Sequence, residues 1–166
     1  HLNLDVLHPI PKNWLPLTLR EQTLNHQIEK VLFSESDIAS MVQKLGQAIS
    51  RDYQNKNLVL VSLMKGSLVF TADLMRKITV PCQLECMTVS SYKGAQTSGN
   101  ITVLQDISVS LKHTDVLVVE DMLDTGLTLQ YILGHLKQKH AKSVRICTLF
   151  DKPEGRKVCI KADYVG

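Results

Sequence analysis

Nine consecutive residues, Glu120-Asp121-Met122-Leu123-Asp124-Thr125-Gly126-Leu127-Thr128, gather the groups best suited to chemistry. A glycine-containing turn that opens a helix presents backbone N–H groups at the helix N-terminus, where free donors and the helix dipole both favour an anion. The hydroxyls of Thr125 and Thr128 can donate to the same anion. Glu120 and Asp121, just ahead of the turn, can accept hydrogen bonds from vicinal hydroxyls or hold a hard divalent cation. A phosphate cradle beside diol acceptors describes a ribose 5-phosphate. It does not describe a nucleoside triphosphate, because G-x-x-x-x-G-K-[ST] is absent; the nearest match, Gly94 to Gly99, is followed by Asn100. G-x-G-x-x-G is missing too, so a dinucleotide site is unsupported. Taken singly, an acidic pair at a strand end is usually only solvated, and Asp-Thr-Gly is often only a cap. The nine residues in order are far more specific.

Such groups need a strand to deliver them and a helix to receive them. Val116 to Val119 reads as a central strand, and Leu129, Ile132, Leu133 and Leu136 share one face of a helix over 127–139. Upstream, Ser34 or Ser36 can cap a helix carrying Ile38, Met41, Val42, Leu45 and Ile49 on one stripe. Leu58 to Leu63 is apolar on both faces, as in a buried parallel strand. Leu68 to Lys77 reads as a helix, and residues 83–91 and 101–106 as strands flanking a polar loop with Gly94 and Gly99. Val144 to Leu149 is a further strand, followed by a basic turn through Lys157 and a short strand near Ala162. This alternation predicts an α/β domain with a largely parallel sheet. Ligands of such sheets bind beyond the carboxyl ends of the strands, here the loops after Leu63, Val119 and Leu149. Residues 1–27, with Pro9, Pro11 and Pro16, read as an irregular arm, and 28–166 as one domain.

Composition narrows the function. The 166 residues carry a net charge of +3, which suits anionic small molecules and is too mild to argue for nucleic acid. Aromatic residues are 5% of the chain, too few for stacking platforms along a single strand. No apolar run approaches the roughly 20 residues that cross a bilayer, so no membrane partner is expected. Cys82, Cys86, Cys147 and Cys159 form no C-x-x-C pair, and the six histidines show no zinc spacing. Reduced cysteines and a cytoplasmic setting are therefore expected.

Four apolar residues, two acids, two apolar residues and then Asp-Thr-Gly-x-Thr resemble the signature of the type I phosphoribosyltransferases, in particular the members that use the 6-oxopurines hypoxanthine and guanine. The likeness runs from about Ile28 to Gly166. It implies the type I phosphoribosyltransferase fold, a mostly parallel sheet flanked by helices with a small hood. It further implies a purine salvage transferase that turns phosphoribosyl pyrophosphate and a 6-oxopurine into a purine nucleoside monophosphate, with Mg²⁺ as cofactor. By that resemblance, Asp124, Thr125, Gly126, Leu127 and Thr128 hold the 5-phosphate. Glu120 and Asp121 face the ribose and the metal. Asp124 exchanges a proton with purine N7, and Met122 packs on the ring.

Other segments join by the same resemblance. Lys65, Gly66 and Ser67 match the pyrophosphate loop, in which a non-proline cis peptide is expected between Lys65 and Gly66. Ser91, Tyr92 and the loop to Asn100 resemble a catalytic flap. Lys152 would donate to the purine 6-oxo group, Tyr164 stack on the ring, and the Val165 backbone meet the base edge. Without the family, Lys65-Gly66 is a common turn, the flap a strand connection, and Lys152 part of a solvated basic turn with Arg156, Lys157 and Lys161. The family pattern continues past Gly166 with an aspartate and an arginine, so a C-terminal tail beyond this sequence is expected. A homodimer or homotetramer is the family habit. Two other readings stay open: a regulator on the same fold that binds nucleotide or RNA with little turnover, and a transferase for another base. The scattered lysines disfavour the first.

Overall fold

A computed structural model describes residues 30–91 and 101–166. The expected arm over 1–27, and Tyr92 with the rest of the flap loop, lie outside the described residues. Glu35–Gly166 forms one unit. Helix α1 (Glu35–Asp52) places Glu35 and Asp37 in its first turn and Arg51 in its last, matching the helix dipole at both ends. It leads into β1 (Leu58–Met64), a nearly all-apolar strand buried through Leu63. Helix α2 (Leu68–Met75), β2 (Cys82–Ser91) and β3 (Ile101–Gln105) follow. The second half runs β4 (Asp115–Leu123), α3 (Leu127–Gln138), β5 (Ser143–Asp151), a 3-10 turn (Pro153–Gly155) and β6 (Tyr164–Val165).

All six strands form one sheet in the order β3-β2-β1-β4-β5-β6. Every pairing is parallel except β2 with β3, which is antiparallel. Alternation along the strands feeds two apolar layers. Leu58, Leu60, Leu117, Val119 and Cys147 face α1 and α2, meeting Leu45, Ile49, Phe70 and Leu74. Val59, Val61, Val116, Val118 and Ile146 face the other way, onto Leu129, Ile132 and Leu136 of α3. Helices on both faces of a central parallel sheet give the expected α/β architecture. All four cysteines are free, and burial pushes the Cys147 thiol up to about 12. Among the described residues, no helix is long and apolar enough to cross a membrane.

Three differences from the sequence-based expectations bear on the site. Strand β4 does not stop at Val119 but continues to Leu123, because β5 keeps pace with it: Glu120 pairs with Thr148, Met122 with Phe150 and Leu123 with Asp151. Backbone pairing outweighs the polar character of Glu120 and Asp121, so both acids stand on the strand and not in a loop. The last strand begins at Tyr164 and not near Ala162, opposite Cys147. The non-proline cis peptide is Met64–Lys65, one bond before the expected position. The β1–β2 ladder holds the chain through Met64, opposite Thr88, and the chain turns at the first bond beyond it.

Candidate active site

The carboxyl ends of β1, β4 and β5 converge at one end of the sheet. There a cavity of about 260 Å³ is lined by Glu120, Met122, Leu123, Asp124, Thr125, Gly126, Thr128 and Leu129. Seven of these eight belong to the nine-residue segment singled out above, which lacks only Asp121 and Leu127 here, and the eighth is Leu129. Gly126 occupies the N-cap of α3 with φ of +78°, a left-handed conformation that side chains rarely adopt. A Cβ there would also lie 2.5 Å from the Ile160 methyl. The N-cap glycine has no side chain to cap this helix, and the Leu127 N–H donates to Thr125 Oγ1 over a long 3.4 Å. A helix start left without a side-chain cap is open to an anion.

Glu120 and Asp121 are half-buried neighbours. Burial, then the hydrogen bond and charge of Asp121, push the Glu120 carboxyl up to about 8. The cause is physical: two carboxylates this close resist ionising together, and poor hydration penalises the charge. Asp121 bridges to the next element. Its carboxylate oxygens lie 3.0 and 3.2 Å from where a Gly66 Cβ would stand, so the β1–α2 turn comes this close to Asp121 at a residue without a side chain. Lys65 and Gly66 are exposed there, whereas Ser67 is fully buried. The Ser67 N–H and hydroxyl both donate to the Leu63 carbonyl, and its Oγ meets Ser62 Oγ at 2.9 Å. Ser67 therefore supports the loop from below and offers no group to a ligand.

Asp124 and Lys152 come together from different loops, with Nζ 3.6 Å from Oδ1. That oxygen is enclosed and has no hydrogen-bond partner among the described residues. It rests against Gly155, where any Cβ would overlap it. The Lys152 N–H donates to the Leu123 carbonyl at 2.9 Å, extending the β4–β5 ladder into the site. Met122 is exposed at the cavity rim, and Leu127 is exposed on α3.

Tyr164 is a correction. Its ring is buried, 6.5 Å from Tyr53, in the layer that faces α1. Its hydroxyl donates to Asp52 Oδ2 at 2.9 Å and accepts from Arg145 at 3.1 Å. It cannot stack on a base in the cavity, because the alternation of β6 turns it into the core. Val165 is exposed on the edge strand, opposite Thr148, two strands from Glu120. Val165 is not among the residues that line the cavity. Ser91 ends β2, and Tyr92 lies outside the described residues.

Sequence reasoning missed Arg156. It reads as one more solvated cation, yet its side chain is 16% exposed and donates to the carbonyls of Asp124, Leu123 and Ile160 and to the Asp151 carboxylate. A single sequence carries no signal for this, because a basic turn rich in Pro, Glu and Gly looks the same whether its arginine points in or out.

Comparison with known proteins agrees with this geometry. The family model described as "Phosphoribosyl transferase domain" matches residues 31–166. The chain is 43% identical over 143 residues to a hypoxanthine-guanine phosphoribosyltransferase of Streptococcus pyogenes serotype M3, covering 86% of this chain and 79% of that protein. A Streptococcus mutans protein of the same name is 46% identical over the same shares. Among solved structures, a hypoxanthine phosphoribosyltransferase from Staphylococcus aureus aligns with a TM-score of 0.83 at 39% identity, covering 87% of this chain and 79% of that one. With its matched domain, its left-handed Gly126 turn and its paired acids, the chain belongs to the phosphoribosyl transferase family and groups there with the hypoxanthine-guanine phosphoribosyltransferases.

Proposed function

We infer that this protein is a purine salvage enzyme that transfers the 5-phosphoribosyl group of phosphoribosyl pyrophosphate to hypoxanthine or guanine, giving the nucleoside 5′-monophosphate and pyrophosphate. The observation that carries this reading is the approach of Lys152, from the loop after β5, to Asp124, which lines the cavity at the Gly126 turn. One acceptor and one cation, side by side, match the N7–H and 6-oxo edge of a 6-oxopurine. The uncapped start of α3, with Thr125 and Thr128, takes the donor's 5-phosphate. Glu120 and Asp121 accept from the ribose hydroxyls, and the exposed Lys65–Gly66 turn faces the leaving pyrophosphate.

The chemistry then follows from charge. The purine N9 lone pair forms the bond to ribose C1 as the C1–O bond to pyrophosphate breaks, and the N7 proton passes to the Asp124 carboxylate. Proton transfer of this kind contributes about 10²–10⁴-fold, and a carboxylate base belongs at the low end. Most of the acceleration comes from fixed dipoles that meet charge as it develops. Met122, at the rim, covers one face of the ring.

The acids also fit Mg²⁺. They supply hard oxygen donors next to the ribose and pyrophosphate positions, and no group of three or more ligating side chains occurs among the described residues. Mg²⁺ is commonly held by one or two carboxylates, with waters and substrate oxygens completing the shell. When bound, the ion supplies charge neutralisation for the leaving pyrophosphate.

The test is a panel of bases. Incubation with phosphoribosyl pyrophosphate, Mg²⁺ and hypoxanthine, guanine, xanthine, adenine or uracil should give nucleotide with hypoxanthine or guanine and none with uracil. Absence of product from every 6-oxopurine overturns the reading, and turnover of uracil alone points to another base.

A further inference from the structure

We propose that Arg156 is the positioning residue that aims the phosphate cradle, a role that rests on the functional reading above and adds a residue to it. In a trans peptide, the C=O and the N–H that follows it point in opposite directions. Three successive carbonyls are tied to the segment 152–157. The Leu123 carbonyl accepts from the Lys152 N–H at 2.9 Å and from Arg156 Nη2 at 3.3 Å. The Asp124 carbonyl accepts from Arg156 Nε at 2.9 Å, and the Thr125 carbonyl from the Lys157 N–H at 2.9 Å. The N–H groups of Asp124, Thr125 and Gly126 are thereby turned away from 152–157, toward the cavity that these residues line.

Arg156 itself is not among the lining residues, so it acts from behind. Its far end is braced by the Ile160 carbonyl and the Asp151 carboxylate. The middle carbonyl, Asp124, is held by Arg156 in particular, and that peptide carries both the general-base candidate and the Thr125 N–H. A guanidinium suits the task because its planar fork can engage several acceptors at fixed angles, whereas an ammonium is a point charge on a flexible stem. Gly126 supplies the remaining freedom, since its left-handed φ lets the chain pass from this tethered strand end into α3.

Two variants separate positioning from mere stability. Arg156→Lys keeps the charge and loses the fork; Arg156→Ala loses both and leaves space for free guanidinium. Arg156→Lys should raise KM for phosphoribosyl pyrophosphate about tenfold or more while moving KM for the purine less than about threefold, because about 1.4 kcal/mol of lost binding is one decade. Guanidinium should restore part of the donor affinity to Arg156→Ala, which a merely unfolded protein would not allow. Ribose 5-phosphate titrated into the wild type should shift the Thr125 and Gly126 amide resonances, with about tenfold weaker affinity in Arg156→Lys. If the variant binds ribose 5-phosphate as tightly as wild type, or if donor and base KM rise together without rescue, the positioning role is overturned and the functional reading stands. If the wild type neither binds ribose 5-phosphate nor turns over a 6-oxopurine, the functional reading falls, and this role falls with it.

Discussion

Asp124 has one oxygen enclosed against Gly155 and facing Lys152, so its role depends on charge more than on shape. Asp124→Asn keeps the size and removes the base. It should lower kcat by about 10²-fold and change nucleotide affinity by only a few-fold, read from single-turnover rates and a binding titration. An unchanged rate would remove the proton-transfer assignment. Glu120 makes a second prediction, this time about pH. Its folded carboxyl titrates near 8 against an ordinary value of 4.5, so the folded chain holds a proton that the unfolded chain has released across that window. Stability from this group is therefore complete below about pH 4.5 and lost as pH rises toward 8. Glu120→Gln removes that loss. In the ligand-free protein it should raise stability at pH 8–9 by about 1–2 kcal/mol, discounted because the site is open to water, and leave it unchanged near pH 4. Thermal unfolding across pH checks this, and parallel pH profiles for the two proteins would contradict it.

At the scale of elements, Tyr164 sets the contrast between motif and structure. Its hydroxyl joins Asp52 at the end of α1 to Arg145 on β5, far from the cavity lining. Tyr164→Phe should cost about 1–2 kcal/mol of stability, from two lost bonds to charged partners, and leave the KM for purine unchanged. Denaturant unfolding and steady-state kinetics read the two halves of that statement. Unchanged stability would contradict the part given to the two hydroxyl bonds. The legible parts of the fold were those where periodicity and pairing agree. β1 is apolar on both faces because it lies between β2 and β4, and the α3 stripe of Leu129, Ile132 and Leu136 is the face it buries. The phosphate turn was legible because Gly126 and the acids are neighbours in sequence, so their closeness needs no distant partner. What stayed hidden depends on distant partners. β4 runs on to Leu123 only because β5 lies beside it, Tyr164 turns inward only because β6 starts at that residue, and Arg156 is buried only because the turn at 123–125 offers it carbonyls.

For the molecule as a whole, one sheet carries the described part of the site at its carboxyl end, so binding and folding share elements. The loops that hold Asp124, Lys152 and Gly66 each leave a different strand of the same sheet, and the register between those strands sets their spacing. Donor binding should therefore stabilise the sheet as a unit, with unfolding temperature rising as donor concentration rises. Differential scanning calorimetry with and without phosphoribosyl pyrophosphate and Mg²⁺ reads this directly, and an unmoved transition would mean that the donor does not bind the folded protein. The most direct measurement is a crystal structure with a purine nucleoside 5′-monophosphate bound. The account predicts the 5′-phosphate within hydrogen-bond reach of the 124–128 amides, the ribose hydroxyls on Glu120 and Asp121, and the 6-oxo group on Lys152. A nucleotide seated anywhere else, with the start of α3 closed or vacant, would contradict it.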